Sequence, residues 1–118
     1  MIARLLAVLT LFGTMAVAQP AHATTLTVNS VSCVQTGALA SDPANYGTYS
    51  CTANVSGGTG GNTYMWTVYN GWSNGYPSPG GQTITGNCKY NTVRFNDVTV
   101  KDSSGATASG SGAIVCKP

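Results

Sequence analysis

Few side chains in this sequence could do chemistry, and their spacing narrows what that chemistry would be. There are three carboxylates, Asp42, Asp97 and Asp102, with no glutamate, one histidine, His22, and four cysteines, Cys33, Cys51, Cys88 and Cys116. General acid–base catalysis draws on histidine, carboxylate, lysine or tyrosine held in a cleft. His22 falls in a segment expected to be removed (below), so a serine or cysteine nucleophile would lack its usual base. Asp42 precedes Pro43 in a loop and Asp102 opens a hairpin turn, positions where a carboxylate ordinarily bonds to nearby backbone N–H groups. Asp97 lies where the apolar alternation slips by one residue, which predicts a β-bulge near Asn96-Asp97. A glycosidase needs two carboxylates facing one cleft, and the strand between Asp97 and Asp102 holds them apart. Calcium takes about six to eight oxygens with several carboxylates, more than this chain supplies for a tight site. The expectation is a protein that is not an enzyme, with no cofactor and no metal.

The N-terminal 23 residues read as a secretory signal: Arg4 gives the positive start, residues 5–18 the apolar run, and Ala21-His22-Ala23 the small-x-small cleavage site. Residues 24–118 then form one domain, secreted to the periplasm or the medium. In an oxidising compartment, four cysteines without a CxxC pair predict two disulfides rather than zinc or redox chemistry. No later apolar run reaches the roughly 20 residues of a membrane helix, so no span is expected after cleavage. The remaining cations, Lys89, Arg94, Lys101 and Lys117, stand against three carboxylates, a net charge of about +1 without a dense basic face. Nucleic acid is therefore not an expected partner.

The elements that would position these residues are strands. Leu26 and Val28 alternate with polar residues, a kink follows at Asn29-Ser30, and the register resumes with Val31 and Cys33. Residues 37–47, with Asp42-Pro43 and Asn45-Tyr46-Gly47, read as a long loop. Tyr49, Cys51, Ala53 and Val55 share one face of the clearest strand, and the glycine-rich stretch 56–62 must turn. Tyr64, Trp66 and Val68 face opposite Met65, Thr67 and Tyr69 in the next. Residues 70–81 have no period and read as a loop with room for a short edge strand. A short strand around Thr83-Ile84-Thr85 follows, then the slipped strand 90–101, a turn at Asp102-Ser103-Ser104-Gly105, and a last strand interrupted by Gly110-Ser111-Gly112. Six or seven short strands with glycine turns predict an all-β sandwich of antiparallel strands.

Asn54-Val55-Ser56-Gly57-Gly58-Thr59-Gly60 followed by Tyr64-Met65-Trp66 resembles a "VSGGTxPYxYxW" segment. Val98-Thr99-Val100-Lys101-Asp102-Ser103-Ser104-Gly105-Ala106-Thr107-Ala108 is similar to a "VTVTDSxGxTA" hairpin. Both belong to bacterial immunoglobulin-like repeats of the PKD and SprB type, and the two matches span most of residues 48–109 in the right order. The resemblance implies an immunoglobulin-like sandwich of about seven strands, a bacterial source, and attachment to polysaccharide or cell-surface material. A bacterial source would leave the Asn54-Val55-Ser56 sequon unglycosylated. The chain departs from those repeats in its four cysteines and in a loop holding Trp72 and Tyr76.

Four cysteines allow three pairings. Cys33 ends the first strand and Cys51 sits in the second, its usual neighbour in such sandwiches. If the last hairpin centres on Ser103-Ser104, opposed residue numbers sum to 207, and bulge residues would move the partner of Cys116 toward Cys88. Cys33–Cys51 and Cys88–Cys116 are the expected bonds.

Among the aromatics, Trp66 and Phe95 read as core. Trp72 and Tyr76 lie among Gly, Asn, Ser and Pro with no apolar residue in phase, and Tyr69 would extend their surface by facing away from Trp66. Two readings stay open for this loop: it folds back over the end of the sandwich, or it offers flat rings to a ligand. The second makes the protein a binding module for polysaccharide. The alternative is a structural or protein-interaction domain, such as an inhibitor, an adhesive subunit or an envelope component, contacting another extracellular protein.

Overall fold

A computed structural model of the chain describes residues 24–70 and 75–118; the expected signal peptide, residues 1–23, and Trp72 lie outside the described residues. Among these, seven strands form: β1 (Thr27–Ala38), β2 (Tyr46–Ser56), β3 (Thr63–Tyr69), β4 (Ser78–Gly80), β5 (Thr83–Lys89), β6 (Val93–Lys101) and β7 (Thr107–Val115). They make two antiparallel sheets, β1-β2-β5 and β4-β3-β6-β7. The chain passes between sheets after β2, β4 and β5, the strand layout of an immunoglobulin-like sandwich.

Alternation decides which faces meet. Tyr49, Cys51 and Ala53 of β2 point inward, opposite Trp66 of β3 and Val98 and Val100 of β6, with Leu26, Cys88 and Cys116 completing the core. Trp66 is 2 % exposed, and its indole N–H donates to the Gly81 carbonyl at 2.8 Å, so the ring buries its apolar body without stranding its donor. The kink expected at Asn29 is present as a register shift between Val28 and Ser30.

Four expectations need correction. The first strand runs on to Ala38, bulging between Gln35 and Gly37, so the loop shrinks to residues 39–45; there the Asp42 carbonyl accepts the Asn45 and Tyr46 N–H groups. The bulge near Asn96-Asp97 is absent: β6 pairs with β3 and β7 without a shift. The hydrophobic phase slips because a polar residue takes a core position. Asn96 is fully buried, its side-chain oxygen accepting the Tyr49 hydroxyl at 2.9 Å from the facing sheet.

Nor do the glycines interrupt β7, which pairs with β6 through Gly110 and Gly112. They let the sheets close up. A Cβ on Gly112 would lie 2.7 Å from the Val31 carbonyl oxygen and 3.1 Å from Cys33 Sγ, so β1 can pack on β7 only where side chains are missing.

Both disulfides are as expected, Cys33–Cys51 and Cys88–Cys116, but the register argument for the second does not hold. Opposed numbers in the last hairpin sum to 208, as in Val100 with Ala108, and Cys88 belongs to β5 in the other sheet. That bond joins the two layers across 5.9 Å between Cα atoms, whereas Cys33 and Cys51 are direct cross-strand neighbours.

The two segments quoted for the resemblance meet at Asp102, which is 5 % exposed. One carboxylate oxygen accepts from the Ser104 hydroxyl at 2.6 Å and from the Ser104 and Ala106 N–H groups; the other accepts the Thr59 N–H of the glycine-rich turn. The Ser104 hydroxyl does most to hold this carboxyl at about 2, against an ordinary 3.8; burial works the other way and the three N–H groups reinforce the lowering.

Candidate functional site

The ladder between β3 and β6 sets Tyr69 beside Phe95, Thr67 beside Asp97 and Met65 beside Thr99. These residues alternate with inward-facing Trp66, Val68, Asn96 and Val98, so they occupy the outer face of the four-stranded sheet. β7 continues that face with Ser109, Ser111, Ala113 and Val115. Among the described residues no strand packs over it.

Tyr69 and Phe95 stack with ring centroids 5.3 Å apart and planes inclined by 26°, an arrangement worth about 0.5–1.5 kcal/mol beyond burial. The Tyr69 hydroxyl donates to Asp97 Oδ2 at 3.1 Å. That bond, with burial and the Asp97 charge acting in the same direction, raises the Tyr69 pKa and keeps the phenol a donor. The rings are thus held in place before any ligand arrives. Below Asp97 the face is apolar, with Tyr69, Phe95, Ala113, Val93 and Val115; level with it stand the hydroxyls of Thr67 and Ser111, and above it Met65 beside the hydroxyls of Thr99 and Ser109. Met65 and Val115 are 45 % and 44 % exposed.

Of the expected site residues, Tyr69 faces outward, away from Trp66. Tyr76 is 87 % exposed and sits at the edge of β3, since the adjacent Gly75 packs on the Val68 carbonyl and the Thr67 methyl. Trp72 lies outside the described residues. The structure brings Tyr69 together with Phe95 and Asp97 rather than with Tyr76. Phe95, expected in the core, is half-buried on the outer face. The signal for it was present: read as one unbroken alternation, Val93, Phe95 and Asp97 share a side.

The three carboxylates are separated. Asp42 accepts the Asn45 side-chain amide at 3.1 Å, Asp97 lies on the outer face, and Asp102 has its oxygens occupied in the turn. Among the described residues no three His, Cys, Asp or Glu side chains gather as a metal site, and no helix is long and apolar enough to cross a membrane. No family model, curated protein or solved structure matches the chain.

Proposed function

We propose that this is a secreted, non-catalytic binding module with an immunoglobulin-like fold of the PKD type, attaching to polysaccharide through the outer face of its four-stranded sheet. The observation that carries this reading is the stacked Tyr69–Phe95 pair fixed by Asp97 on a sheet face over which no described strand packs. Flat apolar rings beside a row of hydroxyls and one carboxylate suit the two sides of a sugar, its C–H face and its hydroxyl edge. Tyr76, exposed at the flank, extends the contact area with few rotatable bonds to freeze.

The test is a pull-down of the exported chain, both disulfides formed, on insoluble polysaccharides and cell-wall preparations. Tyr76→Ala is expected to lose retention at the parent's melting temperature, and Tyr69→Ala to lose it with the melting temperature lowered by at least the roughly 2–12 °C that the stack contributes, the domain remaining folded at the assay temperature. Retention unchanged in both variants, or absent on every polymer for the parent, overturns the reading in favour of a protein partner.

A further inference from the structure

At one end of the sandwich the two sheets part to leave a cleft of about 590 Å³, walled by Tyr46, Asn70, Lys89, Asn91, Thr92 and Arg94. None of its lining residues is acidic. The β5–β6 turn forms one wall and is fixed from several sides. The Thr92 N–H and hydroxyl both donate to the Lys89 carbonyl, at 3.3 and 2.8 Å. The Asn91 N–H donates to the Cys116 carbonyl at 2.8 Å, beside the disulfide that joins the sheets. Asn91 itself adopts φ 62°, a left-handed conformation that asparagine tolerates better than most residues.

Lys117 adds a third cation, its ammonium donating to Asn91 Oδ1 at 3.4 Å. Three of the four cations in residues 24–118 therefore collect at this end, and Lys101 is the exception. In a chain of such low charge this is the largest gathering of cations among the described residues. It is still too sparse for a polyphosphate, whose binding rests on many phosphate contacts. One guanidinium and one ammonium beside the Asn91 amide and the Tyr46 hydroxyl match a single carboxylate set among hydroxyl groups.

Val93 also lines the cleft, and it lies on the same sheet face as Phe95, about 7 Å along the strand. The aromatic face thus runs directly into the cationic cleft. We infer that the cleft takes the carboxylate of a uronic acid residue, in an acidic polysaccharide whose neighbouring rings rest on Tyr69 and Phe95. This names the ligand class for the binding reading above and rests on it.

The experiment compares retention of the exported chain on polygalacturonate, on its fully methyl-esterified form, which keeps the sugars and loses the charge, and on a sulfated galactan. Polygalacturonate is expected to bind about tenfold tighter than the ester, the order of two partly exposed ion pairs. Lys89→Met with Arg94→Met should abolish that preference and leave binding to the ester unchanged. Methionine keeps much of the half-buried Arg94 stem, and Lys89→Met alone, at an exposed position, should remove part of the preference if the double variant does not fold. Equal affinity for acid and ester, a preference that survives substitution, or tighter binding to the sulfated polymer overturns the cleft assignment and leaves the aromatic face standing. Retention on none of the three overturns the cleft assignment, and the aromatic-face reading falls with it only if the polysaccharide and cell-wall panel above also retains nothing.

Discussion

The Tyr49–Asn96 bond gives the sharpest test of how this sandwich is held together. Tyr49 is 1 % exposed and Asn96 fully buried, and the phenol donates to the amide oxygen at 2.9 Å across the gap between the sheets. The other recorded bond of the Asn96 side chain runs from its amide nitrogen to the Arg94 carbonyl at a long 3.4 Å. Tyr49→Phe leaves a buried acceptor without its donor, which costs about 1–3 kcal/mol. For a domain of this size that lowers the melting temperature by roughly 5–20 °C. Asn96→Val strands the Tyr49 hydroxyl instead and should cost a similar amount. The double variant removes both partners and is expected to be close to neutral, so the cycle returns a coupling equal to the sum of the two single losses, about 2–6 kcal/mol. Thermal and urea unfolding with the disulfides intact measures all four proteins. Burial also raises the Tyr49 pKa above its ordinary 10.0, against the opposing pull of Arg94 and Asn96. The neutral phenol therefore contributes its full stability below pH 10, and that stability is lost as pH climbs through the raised folded value. Tyr49→Phe should flatten this alkaline loss. A double variant that loses the sum of the two single losses would refute the pairing, and with it the explanation of why a polar residue stands in the core row of β6.

Two further outcomes follow from the turn and the sheet contact. With its carboxyl at about 2 rather than 3.8, Asp102 contributes fully above pH 3.8 and loses its contribution as pH falls toward 2; urea midpoints of Asp102→Asn across that window should fall less steeply than the parent's, and parallel slopes would refute the role of the turn. Gly112→Ala places a Cβ 2.8 Å from Val31 Cγ1 and nearer still to the Val31 carbonyl, which should cost about 1–3 kcal/mol by overpacking; Ser111→Ala on the outer face should stay within about 0.5 kcal/mol, and equal losses would contradict the close approach of β1 and β7.

Most strands were legible because alternation survives wherever one face is buried: Tyr49, Cys51 and Ala53 announce β2, and Trp66 announces β3. The misreadings share one cause, that a core position need not hold a large apolar side chain. Asn96 satisfies its buried amide with a partner 47 residues away, and nothing local in the sequence reveals that bond. Gly112 fills its position with another strand's backbone, which looks like an interruption when read as composition. The same errors hid the site. A Phe95 read as core and a bulge read at Asp97 conceal that both stand beside Tyr69. The Cys88–Cys116 pairing is right although the hairpin register that suggests it is not; its real basis is that the end of β5 and the end of β7 meet across the layers.

The two disulfides also fix how tension travels through the chain. Pulling from the N-terminal side can peel β1 only as far as Cys33, where the load passes to Cys51. It then runs along the chain to Cys88 and leaves through Cys116. Residues 34–50 and 89–115 are bypassed. The whole of β6 and β7, with Phe95, Asp97, Arg94 and the fixed turn at Asn91, lies inside a closed loop that carries no covalent tension, so a chain stretched at its ends lengthens first through its other strands.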